Sequence, residues 1–134
     1  METRNVDVLH ADGTVEHSTV EIEMNPVRKL LFSGLGWLGN EFSGRDLFEA
    51  LIALRYTLEA KGAALLCAGA RRDVFPSGMQ RDMAGGRKAY VIRLGVHATV
   101  KNIVDIFDPA DAAQVTSVSE QRAFFEEWLK SAKK

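Results

Sequence analysis

The chain's single thiol, Cys67, is followed closely by Arg71 and Arg72. A cysteine-phosphatase cradle needs its arginine one residue further on, and Asp73 stands there. Cys67 also lies inside the apolar run Ala63-Ala64-Leu65-Leu66-Cys67-Ala68, which suits a small core residue whose thiol stays protonated. His10, His17 and His97 are scattered, with no His-x-x-x-His or Cys-x-x-Cys spacing to cage a metal. Ser77 lacks the glycine-flanked elbow of a serine hydrolase, because Phe75 stands where a glycine should. Gly34-Leu35-Gly36-Trp37-Leu38-Gly39 matches the G-x-G-x-x-G dinucleotide pattern. That pattern needs a strand before it and a helix opening on it. Here Asn25-Pro26 suggests a preceding helix, Trp37 would crowd a phosphate, and Glu59, at ribose-contact distance, falls inside a helix. The stretch reads as a glycine-rich loop, and no metal or cofactor site is expected.

The stretch from Gly69 to Met83, with Arg87 beyond it, gathers arginines, aspartates, methionines and an aromatic around Pro76 and Gly78. Arginine and methionine are enriched at protein interfaces, and arginine binds carboxylate or phosphate in a two-pronged fashion. Arg71, Arg72, Asp73, Ser77, Met79, Arg81, Asp82 and Arg87 are therefore the candidate partner-binding residues. The competing reading is structural: Arg71–Asp73 and Arg81–Asp82 neutralise each other while Phe75 and Met79 plug the core. A third, RNA binding through Arg72, Arg81, Arg87 and Lys88, lacks the aromatics that would stack on bases. A small enzyme using the Arg71–Arg81 loop and Cys67 on an anionic molecule is the alternative to a pure binder.

These groups sit in a chain of 134 residues, 46% hydrophobic and 26% charged, ordinary for one globular domain spanning 1–134. The net charge of −1 disfavours a dedicated nucleic-acid binder. Charge is nevertheless uneven: net −5 over residues 1–60, +5 over 61–93 and −1 over 94–134. No apolar run is long enough to span a bilayer, and the N-terminus lacks a secretion signal. With one cysteine, a reducing cytoplasmic setting is expected.

The elements follow from periodicity. Asn5–Leu9 and Thr14–Met24 read as strands joined by a turn at Ala11-Asp12-Gly13, with Val20, Ile22 and Met24 on one face. Asn25-Pro26 suits a helix start carrying Val27, Leu30 and Leu31, and 33–44 reads as a loop. Ser43 with Asp46 resembles a capping box. It opens a helix over about 44–61 with Leu47, Leu51, Leu54 and Leu58 inward and Glu49, Arg55 and Glu59 to solvent. Lys61-Gly62 stops it, and 63–68 reads as a central strand. Between 71 and 87 a short helical turn or functional loop is expected; 88–94 and 102–107 read as strands. Ser117 opens a last helix over about 118–131, with Phe124, Phe125, Trp128 and Leu129 inward and Lys130, Lys133 and Lys134 at its end. The sum is an α+β fold: a single, mostly antiparallel sheet of about five strands covered by two main helices.

Several stretches also carry a resemblance. They are Asp46-Leu47-Phe48-Glu49-Ala50-Leu51, Arg55 and Leu58-Glu59, Cys67-x-Gly69-Ala70-Arg71, Asp73-Val74-Phe75-Pro76-Ser77-Gly78-Met79, Lys88-Ala89-Tyr90, Val104-Asp105-Ile106-Phe107 and Val118-Ser119-Glu120-Gln121 with Phe124, Phe125 and Trp128. Over about residues 44–130 the chain resembles a widespread group of small bacterial proteins associated with immunity in polymorphic toxin and contact-dependent growth inhibition systems. The resemblance implies a cytosolic binder that blocks the active site of one cognate toxin protein, without catalysis or cofactor. Either the acidic first half would face a basic toxin, or the arginine-rich loop would face acidic catalytic residues.

Overall fold

A computed structural model describes residues 1–132. Four strands form an antiparallel meander: β1 (Glu2–Leu9), β2 (Val15–Glu23), β3 (Lys29–Gly34) and β4 (Trp37–Ser43). Helix α1 (Leu47–Glu59) follows, then the two-residue strand β5 (Ala64–Leu65), which returns beside β1 to give the order β4-β3-β2-β1-β5. A smaller sheet contains β6 (Val74–Phe75), β7 (Lys88–Val91) and β8 (Ile103–Asp105), with the short helix α2 (Gly78–Met83) between its first two strands. Helix α3 (Val118–Ala132) closes the chain. The α+β class and a five-stranded antiparallel sheet agree with the sequence reading, but the sheet is not single and its members differ. The expected strands at 88–94 and 102–107 belong to the separate three-stranded sheet, and β3 and β4 take their places in the large one.

Alternation explains the meander. Val6 and Val8, Val20 and Ile22, and Leu30 and Phe32 all point to one face, where α1 lays Leu47, Phe48, Leu51, Leu54 and Leu58 over them. The hairpin at 10–14 lies where the turn residues predict it. After Asn25-Pro26, however, the expected helix is strand β3. Leu30 and Leu31 fit a helical step, but Leu30 also alternates with Phe32, and pairing with β2 satisfies the backbone. The expected loop over 33–44 is the second half of a hairpin. Its two central residues, Leu35 and Gly36, both have positive φ, the type I′ geometry that matches strand twist. Opposite Ser33, β4 carries an extra residue: Phe32 pairs with Asn40 and Gly34 with Trp37. Gly39 adopts φ +64° there and donates its N–H to Ser33 Oγ at 2.9 Å.

Because β4 runs through Ser43, α1 starts later than expected, with Asp46 as its cap. The Asp46 carboxylate accepts the Glu49 N–H at 2.7 Å. Gly62, at φ +73°, ends the turn after α1 as anticipated. The run 63–68 is not a central strand: only Ala64–Leu65 pair with a strand. Its outer side is covered by the chain at 108–110, where Ala68 donates to Asp108 and Ala110 to Leu66. Lys88–Leu94 shortens to β7, and 102–107 to β8 as Ile106 and Phe107 turn inward to become core. Ser117 caps α3 through the Glu120 N–H at 3.1 Å. Phe125 stacks on Phe75 at 3.9 Å, while Leu129 of the expected stripe is exposed. Lys133 and Lys134 lie outside the described residues.

Arg55 departs furthest from expectation. The polar flank of α1 is covered by α3, so Arg55 is only 3% exposed and Glu59 is half-buried. Arg55 donates to the Gly69 carbonyl at 3.2 Å, to Gln121 Oε1 at 2.6 Å and to the Thr116 carbonyl at 2.9 Å. The Gln121 amide in turn donates to the carbonyls of Gly69, Arg71 and Val74 at 2.8–2.9 Å. One buried pair thus ties α1, α3 and the 69–74 segment together. Replacing Gln121 by Ala strips the buried Arg55 of its shortest acceptor and removes the side-chain donor to three carbonyls, so it should cost about 3 kcal/mol or more in chemical denaturation, well beyond an exposed α3 change such as Glu127→Ala.

Candidate binding surface

Cys67 is wholly buried, and desolvation pushes its thiol pKa up to about 11, with Arg55 opposing weakly. His10 bonds Glu16 at 2.9 Å and His17 bonds Asp7 at 2.8 Å, both on the β1–β2 hairpin. Among the described residues no three His, Cys, Asp or Glu side chains gather to hold a metal. The glycine-rich 34–39 stretch is strand, turn and strand, so no helix N-terminus faces it. The Leu35 N–H is instead taken by the Glu16 carboxylate at 2.7 Å, which with His10 holds that acid below the usual range.

The eight candidate partner-binding residues separate into two groups. Five are engaged within the fold. Arg71 grips Asp73 with two bonds of 2.9 Å. Ser77 caps α2, accepting the Gln80 N–H at 3.1 Å while Gln80 Oε1 takes the Ser77 N–H at 2.8 Å, a complete capping box. Arg81 reaches back 2.7 Å to Asp46, not to its neighbour Asp82, and lies over the Phe48 ring. Arg87 donates to Glu2 at 2.8 and 3.0 Å and to Asp105 at 2.9 Å, and its bonds to Glu2 raise its pKa against the opposing effect of burial. Arg72 lies over Phe124 at 4.8 Å, exposed at the start of the loop.

Met79 and Asp82 remain in solvent, and Met83 joins them one helical turn after Met79. Met79 is 71% exposed and Met83 81%, so the expected core plug is an apolar tip on the surface. Met83 stood in the same sequence stretch at a four-residue step from Met79, and its spacing alone could have found it. Arg28 could not be found from spacing. It arrives from the β2–β3 connection, and Gly85 leaves the room its side chain occupies. With Arg45, Arg81, Asp46 and Asp82 it lines a cleft of about 410 Å³ beside α2. Its Nε is buried without an acceptor among the described residues. The result is two mobile thioether side chains on a rigidly pinned helix, next to an arginine-rich hollow. Such a face suits adaptable protein contact.

Scanned against protein-family models the chain matches none, and no curated protein matches it.

Two outcomes follow from this geometry. Native Cys67 should react with iodoacetamide no faster than global unfolding allows, and at the usual thiol rate once denaturant is added; rapid native labelling would contradict the buried placement. Burial pulls the Asp105 pKa upward, but bonds from Arg87 and the Phe107 N–H outweigh it and hold the carboxylate low. A depressed folded pKa gives stability that is present above the unfolded value and lost as pH falls through the folded one. Below about pH 4 the wild type should therefore lose stability more steeply than Asp105→Asn, read as Tm against pH.

Proposed function

We propose that this protein is an immunity-type inhibitor. It binds one cognate bacterial toxin protein and blocks its active site without catalysis of its own. The carrying observation is the α2 tip: Met79 and Met83 are held in solvent by a helix that its capping box and the Arg81–Asp46 ion pair fix in place. A rigid support lowers the ordering cost of association, while flexible methionines adapt to the partner's surface. The neighbouring arginines Arg28 and Arg45 offer the contacts an acidic toxin cleft would accept, which favours the arginine-rich side over the acidic first half of the chain. Buried Cys67 supports the binder over the thiol-dependent alternative. A reducing cytoplasm is the compartment this reading requires, and among the described residues no helix is long and apolar enough to cross a membrane.

The test uses the toxin domain encoded by the adjacent reading frame, purified and titrated calorimetrically. Met79→Asp with Met83→Asp should leave Tm within a few degrees of wild type, since both side chains are already in water. Binding should weaken about a hundredfold and protection of cells should be lost. A complex of undiminished affinity would reject the α2 face, and no wild-type complex would reject the inhibitor reading itself.

A further inference from the structure

A second hollow, sharing no lining residue with the cleft beside α2, lies between the 10–14 turn, the segment after α1 and the start of α3. Its volume is about 470 Å³, within the range of small-ligand sites. Leu9, Ala11, Ala63, Leu65 and Ala70 supply apolar walls, while Arg55 and Glu59 supply opposite charges one helical turn apart on α1.

The donors of Arg55 are not used up. Its three bonds to protein come from Nη1 and one Nη2–H, out of five N–H groups. The Nε–H and the second Nη2–H have no acceptor among the described residues. Those are the nitrogens by which Arg71 holds the Asp73 carboxylate in the same molecule. A guanidinium almost wholly out of water, with no ion-pair partner, has a strong claim on an incoming carboxylate. Glu59 places one oxygen on the Val118 N–H at 2.9 Å and keeps the other free. The other charged groups around the hollow are committed: His10 to Glu16 at 2.9 Å, and Glu120 to the Thr116 hydroxyl at 2.8 Å. A simple carboxylate would be drawn to Arg55 but repelled by Glu59. A ligand that also carries an ammonium group satisfies both.

We propose that this hollow binds a free apolar α-amino acid, its carboxylate on Arg55, its ammonium on Glu59 and its side chain against the alanine and leucine walls. The site goes beyond the inhibitor reading and does not depend on it.

Calorimetry and thermal shift on the full chain test it, with L-leucine and L-phenylalanine as probes. The controls are 4-methylpentanoate, which lacks the ammonium, and 3-methylbutylamine, which lacks the carboxylate. Both amino acids should bind and raise Tm, and each control should bind at least about tenfold more weakly. Glu59→Gln, which keeps an acceptor for the Val118 N–H, should erase the preference for leucine over 4-methylpentanoate. Ala11→Trp, at an exposed turn position on the rim, should abolish binding at unchanged Tm. The proposal is overturned if neither amino acid binds, if either control matches leucine, or if Ala11→Trp leaves binding intact.

Discussion

A guanidinium taken out of water must be given acceptors in the places its plane dictates, and Arg55 draws three of them from separate parts of the chain. Gln121 supplies one acceptor and the backbone at Gly69 and Thr116 the others. Gln121 itself is held by carbonyls on the irregular segment between β5 and β6. That segment has little repeating secondary structure of its own, so these side-chain bonds set its path. They join the elements that follow α1: the small sheet begins at Val74, whose carbonyl Gln121 holds, and α3 docks through the same glutamine. Burial of the pair makes it stringent, because a missing partner would leave a charge or several carbonyls unanswered.

Charge balance shows the same economy. The basic middle of the sequence stands against an acidic first half, and two of its five arginines cross to acids from that half and from β8. Arg81 goes to Asp46 and Arg87 to Glu2 and Asp105, while Arg4 from β1 joins Asp105 and Asp108. Part of the opposite charge of the two segments is thereby neutralised across the fold. Arg28, contributed by the acidic half, lines the cleft beside α2 together with Arg45 and Arg81.

Much of the architecture could be read from the order of residues, and the failures have physical causes. Strands β1 and β2 and helices α1 and α3 carried clear periods of two or 3.6, which one buried face imposes on any sequence. Strand β3 is illegible in the sequence because Leu30-Leu31-Phe32 satisfies both periods, and only pairing with β2 decides between them. Arg55 looked solvent-facing because periodicity records one buried stripe, whereas α1 is covered on a second side by a helix more than fifty residues later. The same blindness applied to the surfaces. Met79 and Asp82 could be named from composition, but Arg28 beside them, and His10 beside Arg55 in the other hollow, are neighbours only through the fold.

The outermost strand of the large sheet is bent where Gly39 turns left-handed opposite Ser33. Its N–H there is already answered by a hydroxyl, and Glu41, a little further along, carries a negative charge clasped by Lys29. The straight runs on either side are only a few residues long. A sister molecule seeking to extend the ribbon would find a crooked, charged hem in place of a flat template. Edge-to-edge growth into fibres is thereby discouraged by the fold itself.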